Sequence, residues 1–259
     1  YKIRLPLDIL LVASANPEDY TNRGRIITPL KDRFGSQIRT HYPLDAETEV
    51  AVMAQEAHLP DAEGMRVDVP SFMNEIVAEI TQLARRSPHI NQRSGVSVRL
   101  SIANTETLVA SAMRRALRAS EHDVVPRISD LDALSASISG KVEIETIEEG
   151  RDEQVIEKIV KSAILEVFRA RCDVSALGEL VAAFNEGLEV DTGDDVPAER
   201  YAEQITALPG IGDALASLGV GETPASIASA IELVLEGLHL SKRINKDAVG
   251  GRSTYRGRD

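Results

Sequence analysis

The stretch Asp8 to Gly35, DILLVASANPEDYTNRGRIITPLKDRFG, decides how the rest of the chain is read. Ile9, Leu10, Leu11, Val12 and Ala13 form a short unbroken apolar run, preceded by Pro6 and closed by Asn16-Pro17. That is the pattern of a strand buried on both faces. A polar amide at the carboxyl end of such a strand lies where α/β sheets bind ligands, and it can hydrogen-bond a terminal phosphate or orient an attacking water. Asn16 fits that role. The following loop delivers Arg33 within Leu30-Lys31-Asp32-Arg33-Phe34-Gly35, where a guanidinium can face outward and stabilise charge on a phosphate held by a neighbouring subunit. Taken singly, Asn16-Pro17 also reads as an ordinary turn and Arg33 as a solvated surface charge. Their combination and spacing carry the sharper reading.

Working outward, Gln37 to Tyr42 is a second strand candidate, because Ile38, Thr40 and Tyr42 alternate with Arg39 and His41. Two short strands do not make a stable sheet covered on both sides. The other strands are therefore expected from outside this sequence, which opens at Tyr1 without an initiator Met. From Asp45, a plausible N-cap, the periodicity turns helical through Val50, Met53, Ala54 and Ala57. A second helix follows Pro70, with Phe72, Met73, Ile76, Val77, Ile80, Leu83 and Ala84 in one stripe and Ser87-Pro88 as its stop. A third opens near Ser97 and runs to Leu117, with Arg114, Arg115 and Arg118 expected on its wetter side. A short fourth starts at Ser129. Beyond an acidic junction at Gly140 to Asp152, helices are expected over Val155 to Phe168, Val174 to Leu188, Ala198 to Leu208 and Pro224 to Leu240. Glu189 to Pro197 reads as an exposed loop. The division is thus 1–43 as the remnant of an α/β core, 44–139 as a helical bundle, 140–249 as a further helical domain, and 250–259 as a disordered Gly- and Arg-rich tail. The fold class is mainly α with a two-stranded sheet remnant.

Bulk composition narrows the function. The 259 residues carry 41 acidic and 29 basic side chains, a net charge of -12, which opposes sequence-independent attraction to nucleic acid or anionic lipid. With 3% aromatics and no Trp, the cores must be aliphatic, which favours helix. Cys172 is the only cysteine, so no intrachain disulfide or cysteine-rich zinc cluster is possible, and a buried thiol in a reducing cytoplasm is expected. His41, His58, His89, His122 and His239 lack metal-ligand spacing. No apolar run approaches a bilayer span.

A strand ending in Asn-Pro-Glu, a loop of this size and then Leu-Lys-Asp-Arg-Phe-Gly resembles the sensor-1 and arginine-finger region of AAA+ ATPases of the magnesium-chelatase I and MoxR-like families. The chelatase group is the nearer match through its Asn-Pro-Glu, Pro-Leu and Asp-Arg-Phe-Gly elements, and the longer insertion Tyr20 to Ile27, with Arg23 and Arg25, departs from it. Ser94-Gly95-Val96-Ser97-Val98-Arg99 resembles the sensor-2 segment, with Arg93 a weaker substitute for Arg99. The resemblance implies a helical lid over 44–139 and a homo-oligomeric ring binding ATP and Mg2+ between subunits. It gives Asn16 and Arg33 catalytic roles and Asn16 and Arg99 nucleotide-binding ones. The implied partner is a protein with a von Willebrand A domain, and in true chelatases the coupled reaction is metal insertion into a porphyrin.

No G-x-x-x-x-G-K-[ST] phosphate loop and no apolar strand ending in Asp-Glu occurs in this sequence. As given, the stretch is expected neither to bind ATP firmly nor to hydrolyse it. Leu208-Pro209-Gly210-Ile211-Gly212 looks like a DNA-binding hairpin, but Asp213 and Glu222 replace the basic cluster such a hairpin needs, so a turn between helices is the better reading. The rival functional classes are a noncatalytic helical adaptor and a transcription-activator ATPase. The second needs a DNA-reading module that is not visible here.

Overall fold

The computed structural model describes residues 8–15, 29, 32–92, 94–145 and 151–258. The chain divides into two units, Tyr1–His41 and Tyr42–Asp259. The described part of the first unit forms no strand. Ile9, Leu10, Leu11 and Val12 are 68 to 91% exposed, and Ile38 is 88% exposed. Both strands expected from the sequence are therefore absent among the described residues. The physical reason is that a strand is held by ladder hydrogen bonds to its neighbours, and here an apolar or alternating pattern meets no described pairing edge.

The second unit is mainly helical. Its elements run α1 (Ala46–Glu56), β1 (Arg66–Val67), α2 (Ser71–Arg86), α3 (Arg99–Ala119), β2 (Asp123–Val124), a 3-10 turn (Ile128–Ala133) and α4 (Leu134–Ser139). They continue through α5 (Asp152–Arg171), α6 (Gly178–Asn185), β3 (Val190–Gly193), α7 (Ala198–Gln204), α8 (Ile211–Leu218), α9 (Pro224–Leu240), β4 (Asn245–Val249) and β5 (Arg252–Arg256).

The helices form where local chemistry favours them. The Asp45 carboxylate accepts from the Thr48 N–H at 2.7 Å and caps α1. In α2 the stripe Phe72, Met73, Ile76, Val77, Ile80 and Ala84 is buried, and the helix stops before Pro88 at the C-cap Ser87. Thr223 caps α9 through the Ser226 N–H at 3.2 Å, with Pro224 at the first helical position. Residues from Ala225 to Leu238 on all sides of α9 are buried, the signature of a central helix. One hydrophobic cluster extends from Met53 to Tyr255, so the bundle at 44–139 and the helices after it share a core. Helix α2 packs chiefly on α5, and α9 on α7 and α5.

Two further expectations are corrected. Glu189 to Pro197 is not an exposed loop throughout, because Val190–Gly193 forms β3 with Val190 and Thr192 buried. The tail is not disordered, because Arg252–Arg256 is the central strand of an antiparallel sheet ordered β3-β5-β4. Its hairpin closes on Gly250 and Gly251, with φ of 60° and 86°, and Val249 pairs with Arg252 across a two-residue turn. Positive φ at both positions is what such a turn demands and what glycine supplies. Tyr255, 2% exposed, then anchors the sheet to the core.

Candidate functional site

The site expected from the sequence is distributed as follows. Asn16, Arg23, Arg25 and Arg93 lie outside the described residues. Arg33 is exposed in a turn of the first unit. Arg99 belongs to the second unit, where it opens α3 with its side chain exposed.

The surroundings of Arg99 suit an anion. Helix α3 is 21 residues long, has no acidic residue in its first turn and no side-chain cap at Val98. A helix start carries partial positive charge from its unpaired N–H groups, and a cation fixed there adds to it. The Arg99 N–H leans on Ser97 Oγ at 3.3 Å and the Leu100 N–H on the Ser97 carbonyl at 2.9 Å. The guanidinium itself has no hydrogen bond or ion pair among the described residues.

The loop before α3 is held firmly. Ser94 Oγ donates to Glu143 at 2.5 Å, Val96 is 1% exposed, and Arg85 Nε donates to the Val96 carbonyl at 3.0 Å. Gly95 has φ of +68°, and a Cβ there would come within 2.5 Å of the Tyr42 hydroxyl. Glycine adopts that φ without strain and leaves the Tyr42 ring in place. Beneath the loop, Glu49 is fully buried. It accepts from Arg85 Nη1 at 2.6 Å, Arg85 Nη2 at 3.1 Å and Ser101 Oγ at 2.6 Å.

A second buried cluster was hidden from sequence reasoning. Arg115, expected on the wetter side of α3 with Arg114 and Arg118, is 3% exposed, whereas the other two are exposed. The wet-side expectation fails because α3 is covered on that side by the turn at Ile128–Ala133. Arg115 Nη2 donates to Asp130 at 2.9 Å and to the Val125 carbonyl at 2.7 Å, and Nη1 reaches Glu121 at 3.4 Å. Arg127, with no exposed surface, donates to the Val196 carbonyl at 2.8 Å and to Glu121 at 3.4 Å, and lies over the Tyr201 ring at 5.0 Å. Glu121 also accepts from the Ala198 N–H at 2.7 Å. Glu232 accepts from Tyr201 Oη at 2.6 Å and the Ser129 N–H at 2.8 Å. Burial, and then the Glu232 charge, push the Tyr201 phenol far above its ordinary range, so it stays a donor. This cluster has no exposed cation and works as a clamp.

Other features offer little chemistry. Burial pushes the Cys172 thiol up to about 11, so it is protonated and inert. Cys172 caps the end of α5 and does not sit within a helix. A groove of about 490 Å³ is lined by Glu47, Val50, Glu75, Glu79, Glu166 and Val167, an acidic wall unsuited to phosphate. Among the described residues, no three His, Cys, Asp or Glu side chains are grouped to hold a metal ion. No helix among them is long and apolar enough to cross a membrane. Gly210, with φ of +72°, turns the chain into α8 as a helix start. No protein family, curated protein or solved structure matches the chain.

Proposed function

We propose that this chain is part of a ring-forming AAA+ ATPase subunit of the magnesium-chelatase I type, with the bundle from α1 to α4 acting as its lid. The observation that carries the reading is Arg99, an exposed cation at the first turn of the longest described helix, a turn with no acidic residue of its own, on a loop pinned from below. Such a group binds the phosphate end of ATP by charge-assisted hydrogen bonds. The order Asn16, Arg33, Arg99 along the chain supports the assignment of Asn16 to the terminal phosphate and Arg33 to the nucleotide of the neighbouring subunit. Hydrolysis of bound ATP to ADP and phosphate would supply the driving free energy, and motion of the lid would convey it to a partner protein. A von Willebrand A domain protein is the partner class that the resemblance suggests, with metal insertion into a tetrapyrrole as one coupled reaction.

The test is turnover in mixed rings of the full-length subunit. Adding Arg33→Ala subunits to wild type should lower ATP hydrolysis per wild-type subunit, because each wild-type site then faces a neighbour without its guanidinium. Unchanged turnover would remove action in trans. Loss of Arg99 should weaken ATP binding about tenfold, the scale of one charge-assisted contact. A noncatalytic adaptor would bind no nucleotide in either assay.

A further inference from the structure

We infer that Arg85 is the positioning residue of the Arg99 loop, one guanidinium tying the start of the second unit at Tyr42 and Pro43 to the backbone that presents Arg99. The inference rests on the reading of Arg99 as a phosphate contact and adds what controls its placement.

The geometry gathers three segments on one planar group. The Nε of Arg85 donates to the Val96 carbonyl at 3.0 Å, inside the loop. Its Nη1 donates to Glu49 of α1 at 2.6 Å and reaches the Pro43 carbonyl at 3.5 Å. Its Nη2 completes a two-pronged grip on Glu49 at 3.1 Å. The guanidinium carbon lies over the Tyr42 ring, 5.0 Å from its centroid. Tyr42 in turn fills the space against Gly95 that any Cβ would occupy. Glu49, oriented by Arg85, accepts from Ser101 Oγ at 2.6 Å, two residues beyond Arg99 in the same first turn. Gln82 Nε2 touches the same carboxylate at 3.5 Å and shares the Pro43 carbonyl with Arg85, donating to it at 3.3 Å and to the Asp45 carbonyl at 3.3 Å. The backbone is thus fixed on both sides of Arg99, at Gly95 and Val96 before it and at Ser101 after it, while its side chain stays exposed.

Stability alone does not account for this arrangement. A hydrophobic pair of similar volume joins two helices as well as a buried ion pair, and often better. It cannot donate to the Val96 and Pro43 carbonyls at once. A planar fork with five N–H groups can, and a lysine ammonium cannot copy that geometry. A change in the path of the chain at Tyr42 and Pro43 therefore has a direct route to the Arg99 loop. Upstream of those two residues the same chain carries Arg33.

The experiment compares wild type, Arg85→Lys, Arg99→Ala and the double variant in the full-length subunit, by titration with a fluorescent ATP analogue and by amide exchange over residues 94–101. Lys keeps a cation beside Glu49 but loses the fork. Arg85→Lys should weaken analogue binding about as much as Arg99→Ala, on the order of tenfold, and the double variant should lose no more than either single one. It should also speed exchange at the amides of Gly95 to Arg99 by at least about tenfold while α2 stays protected. Multiplicative losses, or unchanged exchange in the loop, would overturn the positioning role. A wild type that binds no analogue, or an Arg99→Ala that binds normally, refutes the nucleotide reading instead, and loop exchange then decides the positioning claim alone. If Arg85→Lys does not fold, Tyr42→Ala leaves the buried charges paired and must give the same loosening of the loop for the proposal to stand.

Discussion

The second unit contains two buried guanidinium clusters, and they differ in what they hold. Arg85 spends its donors on one carboxylate and on the backbone of two irregular segments, and it ends beside a surface loop with an exposed cation. Arg115 and Arg127 are locked among Glu121, Asp130 and the carbonyls of Val125 and Val196, and they join the end of α3 to the chain before α7. The first cluster fixes the position of something solvent can reach. The second fastens elements that span the sequence from Arg115 to Val196. Buried ion pairs are poor sources of net stability but strict about geometry, and these two put that strictness to different uses.

The strongest way to break the comparison is Arg127→Met. Glu121 would keep only Arg115 at 3.4 Å and one N–H, and the Val196 carbonyl would lose its donor. A loss of about 3–5 kcal/mol is expected in urea denaturation, the scale for stripping one partner from a buried pair. Exchange in the Gly95 to Arg99 loop should rise no faster than global unfolding requires. Arg85→Met should come next, at about 3 kcal/mol, because that side chain keeps 10% exposure and water can reach part of the unpaired Glu49. Here the loop should loosen well beyond the global effect. If both variants loosen it equally, the two clusters do not divide their roles as described.

Tyr201→Phe sharpens the same contrast at a smaller scale. It removes the 2.6 Å donor to Glu232 and the acceptor for the Gly193 N–H at 3.2 Å, but leaves the ring under Arg127. About 1.5–3 kcal/mol should be lost, as for a buried hydrogen bond to a charged group, read from the denaturation midpoint. A loss below about 0.5 kcal/mol would mean that the clamp depends on the ring and not on the hydroxyl.

The helices were legible in the sequence wherever an apolar stripe or a cap marked them. Phe72 to Ala84 and Val155 to Phe168 announce their buried faces, and Asp45 and Pro224 their starts. Arg115 could not be read from α3, because its partner Asp130 arrives from a turn fifteen residues later. Polar Val190–Gly193 became a strand because β5 offers it an edge. The β4–β5 hairpin carried one legible mark: Gly250-Gly251 is a two-residue turn signal, although neither Asn245–Val249 nor Arg252–Arg256 alternates apolar with polar residues. For Ile9 to Val12 the apolar pattern suggested burial, yet burial needs a neighbour as well as a pattern. Of the candidate site, residue type and order made Arg99 legible, but the Arg85 and Glu49 support beneath it follows no local period.

The smallest effect comes from a place where carboxylates meet without a guanidinium between them. Glu79 of α2 faces Glu166 of α5, and burial, then the Glu166 charge, raise its pKa, with Arg86 offsetting only part of this. A carboxyl whose folded pKa is raised favours the folded state when protonated. Its contribution is complete below the unfolded value and is lost as pH climbs through the folded one. Glu79→Gln removes that loss, so the variant should be more stable than wild type near about pH 7, by roughly 0.5 kcal/mol because Glu79 is only partly buried and solvent screens it. The advantage should shrink as pH is lowered toward the ordinary glutamate range, where wild type carries the proton itself. Denaturation midpoints across that range measure it. A variant less stable than wild type at neutral pH would show that Glu79 is a paired anion, and the contrast with the two guanidinium clusters would then fail at this interface.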